Sequence, residues 1–194
     1  MLRVITQAEY EAAMAADNYY AGRWPYLRFA AEMAANVEAP PDRVLELGAY
    51  HLAIVPDCHT MDIRADLTPT FVHDARITPW PIAAGAYDLF IALQVFEHLG
   101  GPASGAQERA FAEIRRVLAP PSATSSGPSG GGTAILSFPY QWAREAGWHG
   151  GIDLDVITRW AGGRRPGWHA VVGDRTARIV CGWMGTDLIF RGEK

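Results

Sequence analysis

Apolar residues along this chain gather in short runs that end on a polar residue, separated by longer stretches with helical spacing. Val44-Leu45-Glu46-Leu47-Gly48 is the first such run, and Met61-Asp62-Ile63 the second. Phe71-Val72-His73-Asp74 is a third, and the span from Tyr87 to Leu99 the fourth. Runs too short for ordinary helices, each closing on a polar residue, predict buried parallel strands. In an open parallel sheet, ligands bind beyond the carboxyl ends of the strands, where the strand order reverses. Glu46, Asp62, Asp74 and the Gln94–His98 group are therefore expected to meet at one crevice. Gly48 removes a side chain where the backbone must pass close to a ligand. Each acid also has a plainer reading, as a helix cap or a solvated loop residue.

The helical stretches have their own signals. Thr6-Gln7-Ala8-Glu9 is a capping box opening a helix to about Ala16. Pro25 suits the first turn of a second helix to Asn36, with Leu27, Ala30, Ala31, Ala34 and Val37 on one face. Gln107–Leu118 is the clearest helix: Ala110, Phe111, Ile114, Val117 and Leu118 form its buried stripe. Glu108, Arg109, Arg115 and Arg116 point outward as a solvated face. Thr78-Pro79-Trp80-Pro81 argues against regular structure before the fourth strand.

Residues 120–132, rich in Pro, Ser and Gly, read as a flexible loop. Thr133–Phe138 is a further strand, and Asp153 and Asp155 cap a helix through Trp160. Trp168–Val172 and Ala177–Met184 read as an antiparallel hairpin, with Asp187–Phe190 available as another closing segment. Only Leu52–Thr60, interrupted by Pro56, separates the loop after the first strand from the second. A parallel crossover ordinarily needs about a dozen residues or more, so an abbreviated loop or a single turn is expected here.

Composition narrows the function classes. The 194 residues suit one domain with a real core, 49% apolar and 20% charged. A formal net charge of −4 argues against a nucleic-acid binder that relies on neutralising phosphates. Cys58 and Cys181 are far apart and outside metal-ligand spacing, so neither a disulfide framework nor a cysteine metal site is expected. No signal peptide is visible and no apolar run approaches the ~20 residues of a membrane helix. A cytoplasmic protein is the expectation.

Val44–Gly48, Asp62, Asp74-Ala75-Arg76 and the strand-and-turn ending in Glu97-His98-Leu99 together resemble the cofactor half of class I S-adenosylmethionine-dependent methyltransferases. The resemblance covers roughly residues 19–142, and its weight lies in the combination. The chain departs from that family after Gly48, where Ala49-Tyr50-His51-Leu52 stands in place of a glycine-rich loop. The resemblance implies a Rossmann-like, doubly wound α/β fold: a mostly parallel seven-stranded sheet with an antiparallel C-terminal hairpin. It implies one methyltransferase domain over residues 1–194, with residues 1–40 as a helical lid. Glu46, Gly48, Ala49, Asp62, Asp74, Ala75 and Gln94 become expected cofactor residues, joined by Tyr20 and Arg23 of the lid. Arg23 would pair with the cofactor carboxylate, and Tyr19, Tyr20 or Trp24 would face the sulfonium. Alternatively these aromatics staple two helices together.

Methyl transfer to a hydroxyl requires alignment, exclusion of water and removal of a proton. His98 after the fourth strand and His149 after the fifth are the candidate bases, with Glu97 beside them; a structural histidine is the plainer reading of His98. Alternatively, Glu97, His98 and His149, with Gln94, hold Mg2+ or another divalent cation. That set resembles the ligands of some metal-dependent methyltransferases. Trp142, Trp148 and Trp168 offer flat surfaces for a sugar ring, though core packing is the commoner role of tryptophan. The expected activity is O-methylation of a sugar, oligosaccharide or glycolipid hydroxyl. The alternatives are a phenol or polyketide acceptor, or a catalytically silent cofactor-binding module that regulates a partner. Association into a homodimer stays open.

Overall fold

Seven strands in the order β3-β2-β1-β4-β5-β7-β6 form a single sheet in the computed structural model, which describes residues 1–101, 104–120, 131–140, 152–173 and 177–184. The strands are β1 (Val44–Leu47), β2 (His59–Asp62), β3 (Phe71–Val72), β4 (Leu89–Leu93), β5 (Thr133–Pro139), β6 (Trp168–Val172) and β7 (Arg178–Met184). The helices are α1 (Gln7–Ala16), α2 (Trp24–Ala35), α3 (Ala106–Val117) and α4 (Leu154–Trp160). The first five strands pair in parallel, whereas β7 runs antiparallel between β5 and β6. This is the doubly wound, mostly parallel sheet with an antiparallel C-terminal hairpin that the sequence predicts. The order reverses between β1 and β4, so the crevice of such a sheet opens there.

Strand parity sorts the core into two layers. Leu45, Leu47, Phe90, Ala92, Ala134, Leu136 and Phe138 face α3 and α4. Val44, Leu89, Ile91 and Ile135 face α1, α2 and the 54–55 turn. Successive side chains in a strand point to opposite faces, so strands covered on both sides are apolar throughout. Thr6 caps α1 with the full capping box, Pro25 lies in the first turn of α2, and Asp153 caps α4. No helix lies between β1 and β2; the connection is a pair of turns closed by Leu52 N–H to Ala49 O (3.2 Å) and Cys58 N–H to Val55 O (3.3 Å). Leu2 and Ile5 share a buried cluster with Ile54 and Val55, and Ile5 N–H donates to Ile54 O at 2.9 Å.

One expectation needs correction. Arg116 is not simply solvated: it donates to Trp80 O (3.1 Å), Ile82 O (2.6 Å) and Glu113 (2.6 Å), and Glu113 accepts from Trp80 N–H at 2.7 Å. That clip seats the proline-rich link and stacks Trp80 on Phe90. Within residues 1–40, expected as a lid, α2 buries Tyr26, Leu27, Ala30, Ala31 and Ala34 in the core against the sheet. Residues 121–130, most of the expected flexible loop, and Asp187–Phe190 lie outside the described residues. Among the described residues, no helix is long and apolar enough to cross a membrane.

Candidate ligand site at the strand ends

A hollow of about 330 Å³ opens at the carboxyl ends of β1, β2, β3 and β4. Gly48, Asp62, Asp74, Ala75, Gln94 and His98, all singled out in the sequence, line it together. Its volume falls within the ordinary range of small-ligand sites. Leu47, Ile63, His73, Arg76, Val95 and Leu99 complete the lining. Leu47, Arg76, Val95 and Leu99 belong to the motifs singled out in the sequence, and Ile63 and His73 are chain neighbours of the predicted acids. Ile63 is 58% exposed, an apolar wall beside Asp62 that a flat ring would cover.

Each element delivers its side chain for a local reason. Gly48 has φ +70°, a left-handed conformation, and a Cβ there would stand 2.6 Å from Val95 Cγ2. The missing side chain therefore both permits the turn and leaves the hollow open. Asp62 Oδ1 accepts the Arg64 N–H at 2.9 Å. Among the described residues no hydrogen bond engages Oδ2 of Asp62. Gln94 also adopts positive φ (58°), an unusual conformation of the kind found at functional sites. Its Nε2 donates to Ser137 Oγ and its N–H to Ser137 O, both at 3.0 Å, tying the β4 end to β5. The next residues form a 3-10 turn, Phe96–His98, that brings the half-exposed His98 ring to the hollow. Glu97 is buried beside it, with Oε1 3.9 Å from His98 Nε2.

Four expected residues stand elsewhere. Glu46 shares the parity of Val44, so it points to the α2 side and not into the hollow. There its carboxylate accepts the Ile54 N–H at 2.7 Å and anchors the abbreviated β1–β2 connection. Ala49 continues that connection and is not among the lining residues. Tyr20 is buried, and its hydroxyl accepts the His51 N–H at 2.9 Å. Arg23 lies over the Tyr19 ring at 4.0 Å and donates to Tyr19 O (2.5 Å) and Tyr26 Oη (3.1 Å). Tyr19 in turn packs on Tyr50 at 4.5 Å, and Tyr50 Oη donates to Asp17 at 2.9 Å. This aromatic cluster clamps the turn that follows Gly48, closer to the staple reading than to direct contact with a ligand.

Burial raises the Glu46 carboxyl from an ordinary value near 4.5 to about 8, and hydrogen bonds from the Ile54 and Val55 amides offset only part of that. The folded chain then holds a proton that the unfolded chain releases above about pH 4.5. Stability is therefore expected to be full below that pH and to fall as pH rises toward about 8. Cys58 nearby is itself pushed up by burial and stays a thiol over this window. Urea melts across the window should show the loss in the native sequence, whereas Glu46→Gln, which keeps the acceptor without titrating, should be flat. A native curve equally flat would refute the buried-proton account.

His149, one member of the expected cation set, lies outside the described residues. Among the described residues, no group of three or more His, Cys, Asp or Glu side chains is arranged to hold a metal ion. Gln94 Nε2 is turned to Ser137, and Trp142 and Trp148 also lie outside the described residues. Trp168, expected as a stacking surface, packs against Phe29 and over Gly182 instead.

No family model matches the chain, and no curated protein matches it. Solved structures do. A Haloferax volcanii putative methyltransferase in complex with the Trm112 methyltransferase activator is 13% identical, with 93% of this chain and 97% of that one covered at a TM-score of 0.57. The N-methyltransferase NodS from Bradyrhizobium japonicum, bound to S-adenosyl-L-homocysteine, is 13% identical over 82% of this chain and 84% of that one, TM-score 0.56. The PH0226 protein from Pyrococcus horikoshii is 14% identical over 95% and 94%, TM-score 0.56. The architecture is the fold of S-adenosylmethionine-dependent methyltransferases.

Proposed function

We propose that this chain is an S-adenosylmethionine-dependent methyltransferase acting on an acceptor hydroxyl, with sugars and oligosaccharides as the first acceptor class to test. The observation that carries the reading is the convergence of Gly48, Asp62, Asp74, Gln94 and His98 on one hollow at the reversal of strand order. Asp62 would accept hydrogen bonds from a ribose diol, Asp74 would accept from an exocyclic amine, and Ile63 would offer an apolar surface to the base. Gly48 allows the backbone to approach the ligand closely. When bound, S-adenosylmethionine supplies an electrophilic methyl group on a sulfonium. His98 takes the proton from the acceptor hydroxyl, and the buried Glu97 carboxylate faces the charge the ring then carries.

Thermal unfolding with and without S-adenosyl-L-homocysteine tests the cofactor half of this reading. Saturation at about 100 times Kd should add about 2.7 kcal/mol of stability. Transfer from labelled cofactor to a panel of oligosaccharides, phenols and amines, read by mass, tests the acceptor half. Product on sugars supports the reading as stated. Product only on phenols or amines moves the acceptor class, and a thermal shift with no product anywhere favours a silent binding module. Absence of any shift would remove the cofactor reading itself.

A further inference from the structure

We propose that the cleft between α4 and the edge strand β6 is a second ligand site, which holds the distal units of a neutral oligosaccharide acceptor. The inference rests on the sugar-acceptor reading above and adds a site outside the hollow at β1–β4.

Strand parity creates the cleft. His169 pairs with Cys181 and Val171 with Ile179, so both side chains project to the sheet face that α4 covers. α4 has seven residues and seats Trp160 against Phe138 of β5. β6 lies beyond β7 at the sheet edge, and His169 and Val171 stay exposed there. The result is a hollow of about 300 Å³, lined also by Tyr140 and Ile179. Asp153 and Asp155 enter it from the start of α4, and Arg165 from the chain leading into β6. Arg165 Nη2 meets Asp155 Oδ1 at 3.3 Å, longer than the roughly 2.7–2.9 Å of a strong charge-assisted bond. Asp153 Oδ1 is committed to the Asp155 and Val156 amides, at 3.0 and 2.9 Å. Among the described residues, no hydrogen bond engages Asp153 Oδ2, Asp155 Oδ2 or the His169 ring. Two carboxylates thus accompany a guanidinium and an imidazole beside an aliphatic strip, Val171, which is 49% exposed. An anionic ligand meets the carboxylates, and a cationic one meets the guanidinium. A neutral polyol satisfies both, because its hydroxyls donate to a carboxylate and accept from Arg165 while a C–H face of the ring lies on Val171. The site is within reach of the first hollow. Gln94 there bonds Ser137, and Tyr140 follows Ser137 on the same strand end, about 10 Å further at the rise of extended chain. A short oligosaccharide covers that separation, with its reacting unit at His98 and its other units in the cleft.

Calorimetric titration of the full chain with neutral tetrasaccharides of glucose, galactose and mannose tests this apart from turnover. At least one should bind about 10-fold more tightly than its monosaccharide, the worth of a hydrogen bond to a charged group. Arg165→Ala should remove most of that gain and leave the monosaccharide unchanged, and His169→Ala should act the same way. Both side chains are exposed and outside the first hollow, so neither change should alter the thermal shift with S-adenosyl-L-homocysteine. A merely structural role would weaken all these ligands alike. Uronic-acid tetrasaccharides should bind more weakly than neutral ones, and tighter binding of the acidic chains would overturn the neutral class. Methylation of sugars with no gain from length, or a gain that both variants leave intact, overturns the proposal while the acceptor reading stands. If no sugar is bound or methylated, the acceptor reading falls and the proposal with it.

Discussion

Replacing His98 by alanine is expected to lower methyl transfer by about 10²- to 10⁴-fold, the usual contribution of a positioned acid–base group. Affinity for S-adenosyl-L-homocysteine should stay within about twofold, a change worth less than ~0.5 kcal/mol. The split follows from where the ring sits. His98 lines the hollow from the turn after β4 and its side chain is 57% exposed, so an acceptor can reach it. The residues proposed to hold ribose and adenine, Asp62 and Asp74, instead stand at the ends of β2 and β3, on the far side of β1 from β4. Glu97 is 3% exposed and, at 3.9 Å, too distant for a hydrogen bond to Nε2, so the role proposed for it is through its field. Glu97→Gln should therefore cost less than His98→Ala and alter the pH profile of turnover. Single-turnover transfer from labelled cofactor measures both. Undiminished transfer by His98→Ala would take this histidine out of the chemistry.

Gly48→Ala should destabilise the fold by about 2–5 kcal/mol and remove the thermal shift with S-adenosyl-L-homocysteine. Two costs add. A left-handed backbone disfavours any Cβ by about 1–2 kcal/mol. The new methyl would also stand 2.6 Å from Val95 Cγ2, and overpacking costs about 1–3 kcal/mol. Val95 is part of the hollow's wall, so the movement that relieves the clash deforms the site. Adding Val95→Ala removes the second cost and leaves the first. The double variant should regain part of the lost stability relative to Gly48→Ala, as denaturant melts would show. A Gly48→Ala chain as stable as the native one, with its thermal shift intact, would contradict this account.

The polar residues that close short apolar runs led directly to the hollow: Asp62, Asp74 and Gln94 stand where strand ends must converge. Glu46 went astray through parity, which is written in the sequence. It alternates with Leu45 and Leu47, so it shares the Val44 face and turns away from Leu47, the strand residue that lines the hollow. Arg116 looked solvated because helical spacing places a residue on a face without naming the loop that packs there. The cluster of Asp17, Tyr19, Tyr50 and Arg64 joins residues far apart in sequence, and no local pattern reports such a meeting. His73 and Arg76 lie beside Asp74 and share its strand end, a signal that adjacency alone supplied.

The absence of a helix between β1 and β2 also bears on the birth of the molecule. The first ten residues leave the ribosome well before Ile54 and Val55, the groove that receives them. Until those later residues emerge, the nascent chain carries Ile5 without its Ile54 partner, and docking of this segment waits on synthesis of the first strand and the turn behind it.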